Sequence, residues 1–120
     1  MEDKETEWDT AAFGMTGLET ALRVVQEAMV DTGLLDWAGV ADRMARRPAR
    51  IGRLPGPERA LAVGLPASLT LYDPSARDTV DPRAHASRSR NSPFGGMELP
   101  GRVVATFLRG TPTVLDGKLA

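Results

Sequence analysis

Apolar residues recur with a helical period in the first half of this chain and with a strand-like period towards its end. Leu18, Ala21, Leu22, Val25, Ala28 and Met29 follow an i, i+3, i+4, i+7 spacing. That spacing predicts an amphipathic helix, with Arg23, Gln26 and Glu27 off its apolar face. Thr16-Gly17-Leu18-Glu19 has the spacing of a capping box at the helix start, and Gly33 is placed as a left-handed stop. A second helix is expected to follow at once. Asp36 is its N-cap, Leu35 staples onto Val40, and Trp37, Val40, Ala41 and Met44 form its buried face. Pro48 then opens a short third turn or helix, Pro48 to Ile51, stopped by Gly52.

The texture changes at Leu54-Pro55-Gly56-Pro57, where helical periodicity stops. Ala60 to Val63 reads as a short strand. Ser68 to Tyr72 alternates as a half-buried strand closed by Asp73-Pro74. Thr79-Val80 offers a brief pairing, and residues 82–99 read as loop. The clearest strand is Arg102 to Arg109. A turn at Gly110-Thr111-Pro112 leads to Thr113-Val114-Leu115, then Asp116-Gly117. Helices come first and strands second, which is the α+β order; there are no internal repeats and no heptads.

Composition narrows the function classes. A length of 120 residues allows at most one ordinary domain. A net charge of −1 removes the electrostatic case for nucleic acid or an anionic membrane. The basic run Arg43, Arg46, Arg47, Arg50 and Arg53 reads as a solvated helix face, because no aromatic interleaving or phosphate loop accompanies it. The absence of cysteine excludes disulfides, zinc fingers and a thiol nucleophile, and it fits a cytoplasmic protein. The acidic N-terminus has no apolar run and is not a signal peptide. No apolar stretch approaches the roughly 20 residues that span a bilayer.

Candidate chemistry is sparse. His85 is the only histidine, so two-histidine metal sites are impossible within one chain, and an exposed loop residue is the favoured reading of it. There is no nucleophile elbow and no complete glycine-rich nucleotide fingerprint. One ligand-contact candidate remains. Phe13-Gly14 precedes the expected helix start, Gly14 offers its backbone without a side chain, and the helix N–H groups would suit a carboxylate. The plainer alternative is a turn in which Phe13 is a core residue.

Four segments resemble the dihydroorotases, in the cyclic-amidohydrolase branch that also holds hydantoinases, dihydropyrimidinases and allantoinases. Glu2-Asp3-Lys4 with Ala12-Phe13-Gly14-Met15-Thr16-Gly17-Leu18-Glu19-Thr20 resembles the loop and helix after the last barrel strand of that family. Arg47-Pro48-Ala49-Arg50-Ile51-Gly52 resembles the turn at the barrel's end. Gly64 to Asp73 resembles a strand of the small β domain, with Ser68 where the family usually has Asp. Ser87-Arg88-Ser89-Arg90-Asn91-Ser92-Pro93-Phe94 and Gly101 to Thr106 resemble the Ser-Lys-Ser-Asn-Thr-Pro-Phe segment and the final strands.

The resemblance implies an α+β piece of such an enzyme. Residues 1–53 would be the last helices of a (β/α)8 barrel, and residues 54–120 part of a β-sandwich subdomain. It implies a zinc-dependent hydrolase of pyrimidine biosynthesis that interconverts N-carbamoyl-L-aspartate and (S)-dihydroorotate by metal-activated hydroxide attack on a cyclic amide. By the same resemblance, the metal ligands and the catalytic aspartate would fall upstream of Met1. No catalytic or metal residue is then expected in this chain, and Phe13 and Gly14 are its substrate-binding residues. The chain alone is expected to be inactive, and either to self-associate or to associate with the missing N-terminal part. Two alternatives are a non-catalytic interaction module that docks on a partner, and a piece of an allantoinase or hydantoinase relative.

Overall fold

A computed structural model describes residues 6–11, 13–54 and 61–120. Helix α1 (Ala21–Val25) runs directly into a π-helical turn, Gln26–Val30. Helix α2 (Trp37–Ala41) continues through a second π-helical turn, Asp42–Arg46, into α3 (Arg47–Ile51). Four strands follow, β1 (Leu69–Thr79), β2 (Glu98–Leu108), β3 (Thr111–Leu115) and β4 (Lys118–Leu119), and they form an antiparallel meander in the order β1-β2-β3-β4. The α+β order expected from periodicity is therefore observed.

The helical details differ from the periodicity in three ways. The expected capping box does not form. The helix begins later, after Thr20, whose side chain makes no cap bond, and Thr16 and Glu19 are engaged elsewhere. Second, the expected short helix at Pro48 to Ile51 forms as α3 but is not set apart, because α2, the π turn and α3 run on with helical dihedrals throughout. Pro48 has no N–H for the carbonyl four residues back, and its ring crowds that carbonyl. The wider turn before it, closed by Arg47 N–H to Asp42 C=O, accommodates the ring without breaking the rod. Third, Gly52 keeps a right-handed φ of −76°, and Arg53 takes the left-handed value of 52° instead. The Asp36 cap forms as expected and accepts from Gly39 N–H at 2.7 Å, and Gly33 is left-handed at φ 76°.

The strands are longer than the alternation suggests. β1 continues past Asp73-Pro74 because Pro74, Ser75 and Ala76 bulge out between the pairs Asp73↔Arg102 and Arg77↔Pro100. The ladder resumes to Thr79↔Glu98, and Val80 extends it by exchanging hydrogen bonds with Met97 and Gly96. The β2–β3 turn is Arg109-Gly110, with both residues at positive φ, so Thr111 and Pro112 already belong to β3. Asp116-Gly117 makes a second turn of the same kind and adds β4, which the hydrophobic pattern does not announce. The expected strand at 60–63 does not appear among its described residues, 61–63; residue 60 lies outside them.

The small core follows the helix–sheet contact. Leu99, Val80 and Ala105 are buried from the sheet side, and Val40 and Ala49 from the helices. Helix α1 and the π turn after it pack on β2. Leu22, Trp37, Val40, Met44, Leu69 and Phe107 belong to the lining of an open, largely apolar groove of about 770 Å³ between the helices and the sheet.

Candidate functional site

Phe13 and Gly14 lie on an exposed loop seven residues ahead of the first helical residue. Gly14 takes φ 74°, a conformation that glycine adopts without strain. Phe13 is 97% exposed, so it is no core residue of this chain. The expected helix N-terminus does not abut them, because α1 starts only at Ala21.

The loop is held by a second loop, residues 81–96, across some 70 positions of sequence. Asn91 Nδ2 donates to the Gly14 carbonyl at 2.7 Å. Thr16 returns two bonds, its N–H to the Asn91 carbonyl at 2.8 Å and its hydroxyl to the same oxygen at 3.3 Å. Further on, the Glu19 carboxylate accepts from the Ala86 and Ser87 N–H groups at 3.2 and 3.3 Å. The two polar residues of the expected capping box thus serve a tertiary contact. Arg90 braces the partner loop from within. Its Nη1 donates to the carbonyls of Pro82, His85 and Ser87. His85 is half-buried rather than exposed, and its Nδ1 is buried with no hydrogen-bond partner among the described residues.

A second polar cluster fixes how the helix meets the sheet. Arg23 Nη2 donates to the carbonyls of Leu99 and Asp78, each at 2.6 Å, and its Nε to that of Pro100 at 3.3 Å. Gln26, 4% exposed, donates to the Pro74 carbonyl at 2.9 Å and accepts from the Tyr72 hydroxyl at 2.8 Å. Both side chains were expected on the solvent side of the helix. They are turned inward, where Gln26 meets the carbonyl of Pro74 in the β1 bulge and Arg23 meets those of Asp78, Leu99 and Pro100 beside it. Burial pushes the Tyr72 phenol above its ordinary value, against the opposing pull of the Arg23 guanidinium. Asp73 moves the other way. The Ser75 hydroxyl and N–H, donating to its Oδ1 at 2.7 and 2.9 Å, hold its carboxyl below the ordinary range.

Among the described residues no group of three or more His, Cys, Asp or Glu could hold a metal ion. Nor is any helix among them long and apolar enough to cross a membrane. The basic run is exposed, and Asp42 forms ion pairs with two of its members, Arg47 and Arg50.

Comparison with known proteins places this architecture. The dihydroorotase of Streptomyces coelicolor is 64% identical over 118 residues, covering 98% of this chain and 28% of that protein. Over its full length the chain matches one part of the dihydroorotases. The dihydroorotase of Leifsonia xyli subsp. xyli is 54% identical and that of Mycobacterium tuberculosis 50%, each over 117 residues. Among solved structures, the L-hydantoinase (dihydropyrimidinase) of Arthrobacter aurescens superposes with a TM-score of 0.83 at 33% identity, covering 99% of this chain and 27% of that one. The D-hydantoinase of Thermus sp. gives 0.79 at 26%. No protein-family profile matches. The chain spans little more than a quarter of the length of the dihydroorotases it matches. Ser68 accepts the Arg109 N–H at 3.1 Å and closes the β1–β2 end.

Proposed function

We propose that this chain supplies one wall of the substrate pocket in a dihydroorotase that interconverts N-carbamoyl-L-aspartate and (S)-dihydroorotate. In this reading residues 1–53 complete the barrel end and residues 54–120 belong to the β-sandwich subdomain. Phe13 and Gly14 present backbone to the dihydroorotate ring. The observation that carries it is the Phe13–Gly14 turn itself, which is exposed, free of side-chain crowding and pinned from behind. The higher identity to dihydroorotases than to the hydantoinases supports dihydroorotate as substrate over a hydantoin.

The zinc that the resemblance implies does not fit the described residues, which offer no ligand cluster. This chain's share of the chemistry is therefore binding and orientation. A backbone wall adds no charge that titrates near neutrality, and it fixes a cyclic amide by hydrogen bonds and by contact with the Phe13 face. The apolar groove beside α2 is the surface on which the remainder of the enzyme would pack.

The test is a chimera in which these residues replace the corresponding 118 of the Streptomyces coelicolor relative. It should turn over dihydroorotate, whereas the 120-residue chain alone should not. Gly14→Ala in the chimera should raise KM, because at φ 74° a Cβ strains the turn that would present its backbone to the ring. A Gly14→Ala chimera with unaltered KM would refute the assignment of the wall.

A further inference from the structure

We infer that Asn91 is a positioning residue for the Phe13–Gly14 wall, and that Asn91 and Glu19 together clasp the wall to the loop 81–96. The inference rests on the reading of Phe13–Gly14 as a substrate contact and adds what holds it in place.

Packing does not hold Gly14. A Cβ built there would meet nothing within 4 Å, and its neighbours Phe13 and Met15 are exposed. Hydrogen bonds hold it instead, and Asn91 makes those nearest to it. Its side-chain amide donates to the Gly14 carbonyl, and its own carbonyl accepts from Thr16 N–H. The two bonds run in opposite directions and flank Met15, so they orient the peptide planes on both sides of that residue. A carbonyl accepts only from a donor, so the Asn91 amide can face Gly14 in one orientation alone. Glu19 adds a second grip five residues along, one carboxylate oxygen to each of two successive N–H groups.

This clasp is almost purely polar and largely exposed, and such bonds add little net stability. Their consequence is geometric. They transmit the conformation of the 81–96 loop, itself gathered by the Arg90 guanidinium on three carbonyls, to the backbone that would touch substrate. A loop remote in sequence would thereby tune how tightly the ring is bound.

Asn91→Asp in the chimera is the decisive variant. It keeps the shape but sets a carboxylate oxygen against the Gly14 carbonyl. We expect KM for dihydroorotate to rise about tenfold, the effect of losing one well-formed bond, with kcat within about twofold. Glu19→Gln, which keeps one acceptor and turns an NH2 towards the other N–H, should raise KM by a smaller factor, and it serves if Asn91→Asp folds poorly. In the 120-residue chain, Asn91→Asp should speed hydrogen exchange of the Thr16 amide. If Gly14→Ala raises KM while Asn91→Asp and Glu19→Gln do not, the clasp is refuted and the wall stands. If none of the three moves KM, or the wild-type chimera lacks turnover, the wall itself fails and the inference falls with it. An equal loss in kcat and kcat/KM with unchanged KM would also overturn it.

Discussion

The Tyr72 hydroxyl donates to Gln26 Oε1 across 2.8 Å, joining the first helical segment to the irregular stretch of β1. Trp37 packs against the same ring, with centroids 5.5 Å apart and planes tilted by 59°, so α2 shares the anchor. Tyr72→Phe keeps that packing and removes the donor, leaving an acceptor on a buried glutamine unsatisfied. The loss expected is about 1–2 kcal/mol, read as a lower denaturant midpoint with an unchanged slope. An unchanged midpoint would show that Gln26 finds another partner at no cost.

The same phenol provides a pH readout, since it is the only tyrosine in the chain. Its folded-state value lies above the ordinary value of 10.0 because burial disfavours the phenolate. A raised acid contributes stability that is fully present below the ordinary value and lost as pH climbs through the folded one. Ultraviolet difference titration should show ionisation later than in a tyrosine peptide, with stability falling over the same alkaline interval. Coincidence with the peptide curve would contradict the buried placement.

Asp73 has the opposite sign. Its carboxyl is held below the ordinary value of 3.8, first by the Ser75 hydroxyl. Its contribution is present above that value and lost as pH falls through the lower folded one. Ser75→Ala should bring the carboxyl back towards 3.8 in an NMR titration. A titration curve identical to wild type would mean that the hydroxyl does not govern it.

Gly101 is the least replaceable residue of the sheet. It combines φ 78° with a Cβ position that overlaps the Tyr72 hydroxyl and crowds Gln26 Oε1. Gly101→Ala should cost about 3 kcal/mol or more, since backbone strain and overpacking act together. Gly110→Ala, at φ 87° but in open space, should cost only the strain, about 1–2 kcal/mol. Equal melting temperatures for the two variants would refute the packing argument.

Much of this was legible in the chain. The helices before the strands, the Asp36 cap, the Gly33 stop and the strand through Val103 to Phe107 follow from local period and turn chemistry, which act between near neighbours. The four family-like segments mark dihydroorotase kinship without any contact being known. What periodicity misassigned were side chains whose partners are distant in sequence. Thr16 and Glu19 have the spacing of a cap and instead bind residues 86, 87 and 91. Arg23 and Gln26 look solvated on the helix and instead meet strand carbonyls in and beside the β1 bulge. The physical reason is common to both. A local pattern tells which backbone groups a segment can satisfy internally. Which carbonyls come to face the helix is settled only when the strands pair, and polar side chains then turn to meet them.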